Sequence, residues 1–436
     1  MFTGVNKKNL PFSYMILLLL VIIPETYGYC SAEPDTVRKM IPYTLPWDDM
    51  PVDLSFIYKS EKPAGKHGFL QVKGERFIFE DGTEGRFWGT NFNSAQNFPP
   101  HDQSEKIAKR LAKTGINIVR LHQMDAEWSM PNIFQFTRGE NKPSTTGFDP
   151  ESLDRLDYLI CCLKKEGIYI FMDQLTYRRF KSGDGVGAAD RLGDAAKPYS
   201  IFDRRLIELQ KKFIYDLWTH INPYTKLMYK DEPAIALASV VNENELIAQS
   251  RNITIEPYRT EIERLFGEWA GKKGVKPIPG KIDLSKPNNT LLQFLVETQQ
   301  EYYHEMTGYM RETGVRIPVN GTFNWGGAHL YSQMVTDFTN SNVNWGQYNL
   351  WQIKKFRNES MTGAANNMTS RLAFNRLAGK PYFISEWDNP WPNEWRAESS
   401  LLMAATGALQ GWGGLCIHTY RYTLDEDVGM IANGFK

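Results

Sequence analysis

Apolar residues recur along this chain in two alternating rhythms. One places them three and four apart: Ile107, Ala108, Leu111 and Ala112 share a helical face, as do Leu153, Leu156, Leu159, Ile160 and Leu163, and later Leu206, Leu209, Phe213, Ile214 and Leu217. The other is a short unbroken run, at residues 116–122, 168–173, 235–241, 382–387 and 415–420. Runs of that length between helical stretches predict parallel strands buried on both faces. Ser104 is read as the cap of the first helix. Gly115, Gly167, Gly314 and Gly379 follow helical stretches, where a left-handed backbone commonly ends a helix. Helix and strand in alternation predict a parallel sheet, and the number of units predicts an α/β fold of the (β/α)8 TIM-barrel kind.

The remaining pattern fills in the order. Residues 69–72 and 76–79, with Asp81-Gly82 as a turn, predict a β lead-in, and 86–92 enters the barrel as its first strand. Residues 316–323 and 335–343 are read as the fifth and sixth strands. Residues 246–290 break the rhythm and are read as an insertion on the active face. Residues 33–66, rich in Pro, Asp and Lys, are read as an extended arm, and 67–436 as one catalytic domain. After Tyr420 no helical periodicity remains, so the outer ring is expected to lack an eighth helix and the chain reads as truncated at its C-terminus.

The start of the chain changes the expected address. Lys7 and Lys8 precede an apolar core at 14–23, and Pro24 ends it, so residues 1–32 read as a secretory signal peptide. Ten apolar residues are too few to span a bilayer, which takes about 20. Cleavage after Gly28 or Ala32 fits; Cys30 as a lipid-bearing first residue fits less well, because Tyr29 before it is bulky. The expected location is extracellular or periplasmic, with no stable membrane span.

Composition excludes more than it selects. The 436 residues carry 50 basic and 50 acidic side chains, so no net field favours nucleic acid or an anionic membrane. Four cysteines without a CxxC spacing make neither a disulfide framework nor a structural zinc site. No metal or organic cofactor is called for. Twelve Trp and 21 Tyr suit a sugar-binding cleft as well as an aromatic core.

Two glutamates close apolar runs: Glu243 at the end of the fourth and Glu386 at the end of the seventh. In a (β/α)8 barrel the C-terminal strand ends carry the chemistry. Two carboxyl groups about 5–5.5 Å apart cleave a glycosidic bond with retention, one as acid/base and one as nucleophile. Asn242, beside Glu243, suits a donor to a sugar hydroxyl. Arg120, at the end of the second strand, is placed to hold Glu386 ionised. Each residue has a plainer alternative: a strand-end Glu can cap the next helix, Glu245 shares the periodicity of Glu243, Arg120 can bridge strands, and His122 and His418 can be structural.

Four segments, Phe87-Trp-Gly-Thr-Asn91, Gly115-Ile-Asn-Ile-Val-Arg-Leu-His122, Asp231 through Glu243, and Pro381-Tyr-Phe-Ile-Ser-Glu386-Trp387, resemble in order and spacing the signature strands of clan A glycoside hydrolases, closest to the family 5 cellulases and mannanases. The resemblance covers about residues 67–422. It implies a (β/α)8 barrel, retaining double displacement, Glu243 as acid/base, Glu386 as nucleophile, and Arg120 and Asn242 as their partners. Similar proteins end the sixth strand in His-x-Tyr, where this chain has Asn342-Val-Asn344-Trp345, and place a Trp on the eighth, where it has Cys416-Ile-His418-Thr-Tyr420. Asn91, His122, Asn344, Trp345, Trp387 and His418 are accordingly expected to be substrate-side residues. The expected function is a secreted retaining glycoside hydrolase of a β-linked oligo- or polysaccharide; the alternative is a catalytically silent barrel that binds carbohydrate.

Overall fold

Eight parallel strands form the sheet that the apolar runs predict, preceded by a small antiparallel one. The computed structural model describes residues 53–275, 282–322, 327–346, 358–390 and 393–421, all within the unit Pro46–Lys436. The small sheet is β1 (Leu70–Lys73), β2 (Arg76–Phe79) and β3 (Glu84–Gly85). The barrel strands are β4 (Phe87–Asn93), β5 (Ile118–His122), β6 (Tyr169–Leu175), β7 (Ile235–Val241), β8 (Val319–Asn320), β9 (Thr339–Asn344), β10 (Tyr382–Asp388) and β11 (Gly414–Arg421). Their hydrogen-bonded order is β8-β7-β6-β5-β4-β11-β10-β9, so the first and last barrel strands are neighbours, as a (β/α)8 barrel requires. Between β8 and β9 the ring is joined through Asp337: its backbone N–H donates to the Val319 carbonyl (3.0 Å) and its carboxylate accepts from the Val319 N–H (2.7 Å).

The helices are α1 (His101–Lys113), α2 (Pro150–Lys165), α3 (Arg204–Trp218), α4 (Leu246–Gln249), α5 (Tyr258–Lys273), α6 (Asn289–Thr313), α7 (Gly327–Ser332), α8 (Met368–Ala373) and α9 (Arg396–Leu409). Several of their starts follow from side-chain caps. Asp149 accepts from the N–H groups of Glu151 and Ser152 with Pro150 in the first turn, Asp203 accepts from Leu206, and Asn288 from Leu291. Ser104 is not the cap of α1: the helix begins three residues earlier, after Pro100, and the buried Ser104 hydroxyl donates to the Pro100 carbonyl. The fifth strand is shorter than its apolar run, because Pro318 has no N–H to offer a neighbour; β7 still donates to the carbonyls of Pro318 and Gly321.

Residues 54–66 are not an extended arm. Residues Ser55–Glu61 form a 3₁₀ helix, and Ala64 is buried with its N–H on the Lys164 carbonyl. With β1–β3 this segment lies under the N-terminal strand ends. Phe79 packs on Phe87 and Tyr169, and Phe77 on Phe338, at the starts of three barrel strands. Aromatic rings thus pack across the barrel floor among the described residues, and the opposite mouth is where a (β/α)8 barrel carries its site. The signal-peptide assignment and the tail on which the missing-helix expectation rests lie outside the described residues. Among the described residues no helix is long and apolar enough to cross a membrane.

Strand packing is tight where β4, β5 and β11 meet. A methyl group added at Gly89 would stand 2.3 Å from the Ile118 carbonyl oxygen and 2.9 Å from the Cys416 sulfur. Gly89→Ala should therefore cost about 1–3 kcal/mol of stability by overpacking. A denaturant midpoint equal to that of the natural protein would show that the strands can part freely there.

Candidate active site

The C-terminal strand ends gather a connected polar network around Arg120. Side chains alternate along β5, so Arg120 and His122 share the inner face while Leu121 packs outward. Arg120 is fully buried, and its guanidinium is used up by the protein. Nη1 donates to Glu386 Oε1 (2.6 Å) and Asn91 Oδ1 (3.2 Å), Nη2 to Asn242 Oδ1 (2.9 Å), and Nε to Asp173 Oδ1 (3.1 Å). A planar fork meeting two carboxylates and two amides fixes all four. His122 is held the same way, with Nδ1 2.5 Å from Asp173 Oδ2 and Nε2 3.4 Å from Glu386 Oε1.

Glu386 reaches this network through a β-bulge: the register of β10 slips on both sides of Ser385–Glu386. Such a bulge re-aims a side chain. Glu243 is placed differently, just past the end of β7 in left-handed backbone (φ 49°), a conformation that costs a non-glycine residue about 1–3 kcal/mol and recurs at functional sites. Asn342 on β9 links Glu243 to the residue before Glu386: its Nδ2 donates to Glu243 Oε1 (3.2 Å), and its Oδ1 accepts from the Ser385 hydroxyl (2.6 Å).

The two carboxyls titrate in opposite directions. Burial pushes Glu243 up, the negative Glu386 pushes it further, and Lys197, the Asn342 hydrogen bond and Arg120 only partly offset this. Burial would also raise Glu386, but His418, Arg120 and His122 outweigh it and hold that carboxyl below the usual carboxylate range. Burial keeps both imidazoles below their ordinary values, so the permanent charge among the three is Arg120. One carboxyl is thus biased to keep its proton and the other to lose it.

His418 on β11 faces the same space, with Nε2 3.8 Å from Glu386 Oε2. Asn93 donates to that nitrogen (2.9 Å), and its own orientation is set by the Thr419 hydroxyl on its Oδ1 (2.8 Å). His122, Glu386 and His418 present three donor atoms within 4.8 Å of one another, a spacing a metal ion could use. Arg120 already occupies the carboxylate and Asn93 the His418 nitrogen, so a divalent cation would meet a guanidinium charge and displace a hydrogen bond.

Several expected substrate contacts fall elsewhere. Asn91 is buried, with Nδ2 bridging the Ser385 and Ile417 carbonyls (3.0 and 3.1 Å), so it braces β4 to its neighbours and has nothing left for a ligand. Arg120 and His122 act through Glu386 and Asn242. Trp387 follows Glu386 on a strand and therefore points to the other side; it is 1% exposed, packed against Trp88 between barrel and helices. Trp345 is buried in the same outer cluster, its indole donating to the Glu359 carbonyl (3.0 Å). Asn344 offers its carbonyl to Arg371, and the residue of this strand that meets Glu243 is Asn342. Glu245 is fully buried and paired with His329 (3.0 Å). Asn242 has its Oδ1 on Arg120, and its buried Nδ2 has no partner among the described residues.

The open side of the site is built by residues outside the strand runs. Trp128, 46% exposed, stands edge-on to Tyr177 (6.0 Å), whose ring meets His122 (6.4 Å) and carries the Lys197 ammonium 4.9 Å from its centre. These residues come from the loops after β5 and β6, where periodicity gives no signal; aromatic residues just past a strand end were the available clue.

A (β/α)8 barrel with two dissimilar carboxyls at its mouth is the class of protein that fold and site define. Solved structures agree on the fold. The chain is similar to an endo-1,4-beta-mannanase from Rhizomucor miehei (15% identity, 81% of this chain and 90% of that one, TM-score 0.54) and to a glycoside hydrolase family 5 mannosidase from the same organism (13%, 81% and 86%, 0.53). It is also similar to an endo-1,4-beta-D-mannanase from Thermotoga petrophila (16%, 80% and 92%, 0.51). The fold is that of the family 5 glycoside hydrolases. No protein-family model and no curated protein matches the chain.

Proposed function

We propose that this protein is a secreted, retaining glycoside hydrolase that cleaves a β-linked oligo- or polysaccharide by double displacement, using no metal or organic cofactor. The observation that carries the reading is the placement of two buried glutamates at the ends of the fourth and seventh barrel strands, Glu386 held by the Arg120 guanidinium (2.6 Å) and Glu243 by the neutral Asn342 amide (3.2 Å). Glu386, ionised against Arg120, attacks the anomeric carbon while Glu243 protonates the leaving oxygen. Glu243 then takes a proton from the water that releases the sugar. The unpartnered Asn242 amide donates to the hydroxyl beside the reacting carbon, a bond that strengthens as charge develops. Secretion rests on the apolar leader at 14–23.

The test is a screen of aryl β-glycosides and of mannan, glucan and galactan polymers, with mannans first because the similar solved structures are described as mannanases and a mannosidase. Product anomers read early by NMR should keep the substrate's configuration; inverted product overturns the mechanism. Binding without any turnover would favour the silent carbohydrate-binding barrel, a reading kept open by Asn342-Val-Asn344-Trp345 standing where similar proteins carry His-x-Tyr.

Arg120 gives a separate pH prediction. Its charge lowers the pKa of Glu386, so activity should persist at low pH and fall only as Glu386 gains its proton. Arg120→Met should move that acidic limb to higher pH, and leaving Asp173 and Glu386 buried without their cation should cost about 3–5 kcal/mol of stability. An unmoved limb would make Arg120 a strand bridge only.

A further inference from the structure

Lys197 is a cation on the open side of the site that neither forms a bond nor transfers a proton in the chemistry above, although its charge reaches Glu243. It follows Ala195 and Ala196 in the loop after β6, and both alanines hold left-handed backbone (φ 53° and 47°). Strain of that kind persists only where surroundings impose it. Here the Ala195 N–H donates to the Arg178 carbonyl (2.8 Å), the Ser200 hydroxyl to the Ala195 carbonyl (2.7 Å), and the Asn244 amide to the Ser200 hydroxyl (2.8 Å). The loop is clamped to the residue next to Glu243, which fixes where the lysine enters the cleft.

The ammonium makes no hydrogen bond or ion pair with any described residue; its contact is the Tyr177 ring, at 4.9 Å. The carboxyls whose charges reach it are, strongest first, Glu243, Asp125, Asp194 and Glu386. Each is engaged elsewhere: Glu243 by Asn342, Asp125 by Thr176 and the Tyr177 N–H, Asp194 by Arg179 at 3.4 Å, and Glu386 by Arg120. A half-buried ammonium whose direct contact among the described residues is an aromatic ring, with carboxyls acting on it only through space, is incompletely compensated for its lost water. Burial accordingly pushes its pKa below the ordinary lysine value.

We propose that Lys197 binds an anionic substituent of the substrate, the carboxylate of a uronic acid or a sulfate ester, next to the bond that is cleaved. This deepens the glycoside hydrolase reading and rests on it. The exposed face of Trp128 and the Tyr177 ring take the apolar face of the sugar, while the ammonium donates to the anion. A neutral sugar leaves the cation unpaired, so the same contact selects against it.

The experiment compares matched aryl β-glycosides that are neutral, carboxylated at C6 or sulfated at O6, using the full chain and its Lys197→Met variant. The natural protein should favour one anionic series in kcat/KM by roughly tenfold to a hundredfold, the size of a charge-assisted hydrogen bond. Lys197→Met should collapse that ratio toward one, mainly through KM. The favoured series distinguishes carboxylate from sulfate. No charge preference, or an equal loss on neutral and anionic substrates, overturns the proposal. Calorimetry on Glu386→Gln with uronic, sulfated and neutral oligosaccharides separates the two claims. Charge-selective binding abolished by Lys197→Met, without turnover in the natural protein, keeps this inference and removes the hydrolase reading; turnover without charge selectivity does the reverse.

Discussion

Glu386→Ala is expected to lower kcat by roughly 10⁴-fold or more, because the step it removes is the one that forms the covalent intermediate. The loss should be similar for every leaving group, since attack on the anomeric carbon is needed however easily the leaving oxygen departs. The cavity left by the carboxyl suits a small anion. Azide placed there attacks from the same side and should yield a glycosyl azide of inverted configuration, restoring part of the rate. Glu386→Gln keeps the volume and guards against misreading an unfolded protein, because Arg120 retains Asp173 as its counter-charge. A further consequence follows from coupling: the Glu386 charge raises the pKa of Glu243, so in Glu386→Gln the Glu243 carboxyl should titrate lower than in the natural protein. Full activity in either variant would remove Glu386 as the nucleophile.

Much of this arrangement was legible in the order of residues, for reasons that differ by element. Strands buried on both faces must be apolar over their whole length, so β5, β6, β7 and β10 announced themselves, and a Glu at the end of such a run has few structural reasons to be there. β8 did not, because only Val319 and Asn320 pair and the surrounding Pro318 and Gly321 blur its limits. Alternation along a strand sets Trp387 and Trp345 in the outward-facing set, away from the mouth. Asn342 was hidden by the opposite problem: β9 reads Thr-Asn-Ser-Asn-Val-Asn, a polar strand in which three asparagines compete and only the register against Glu386 decides. Lys197, Tyr177 and Trp128 lie on loops, whose placement is set by contacts distant in sequence such as Asn244 to Ser200.

Glu243→Ala should behave unlike the loss of Glu386, and the contrast is the sharpest check on their division of labour. General acid catalysis contributes about 10²–10⁴-fold, and only where the leaving group needs a proton. Natural oligosaccharides and aryl glycosides with poorly acidic phenols should therefore slow by about that factor, while the first step on activated aryl glycosides should be spared. On those substrates the second step becomes limiting, since no base activates water; kcat falls, KM falls with it as intermediate accumulates, and a burst of phenol appears. Added azide needs no base, so it should speed release and give a glycosyl azide of retained configuration, opposite to the product from Glu386→Ala. In the natural protein the basic limb of the pH profile belongs to Glu243. Its pKa is raised by burial and by the Glu386 charge, so the protonated form survives above the pH at which an ordinary glutamate ionises, and activity declines only as pH passes that raised value. Glu243→Ala should abolish this basic limb on activated substrates and leave the acidic one in place. An equal loss on good and poor leaving groups, or a basic limb that persists unchanged, would take the acid/base role away from Glu243.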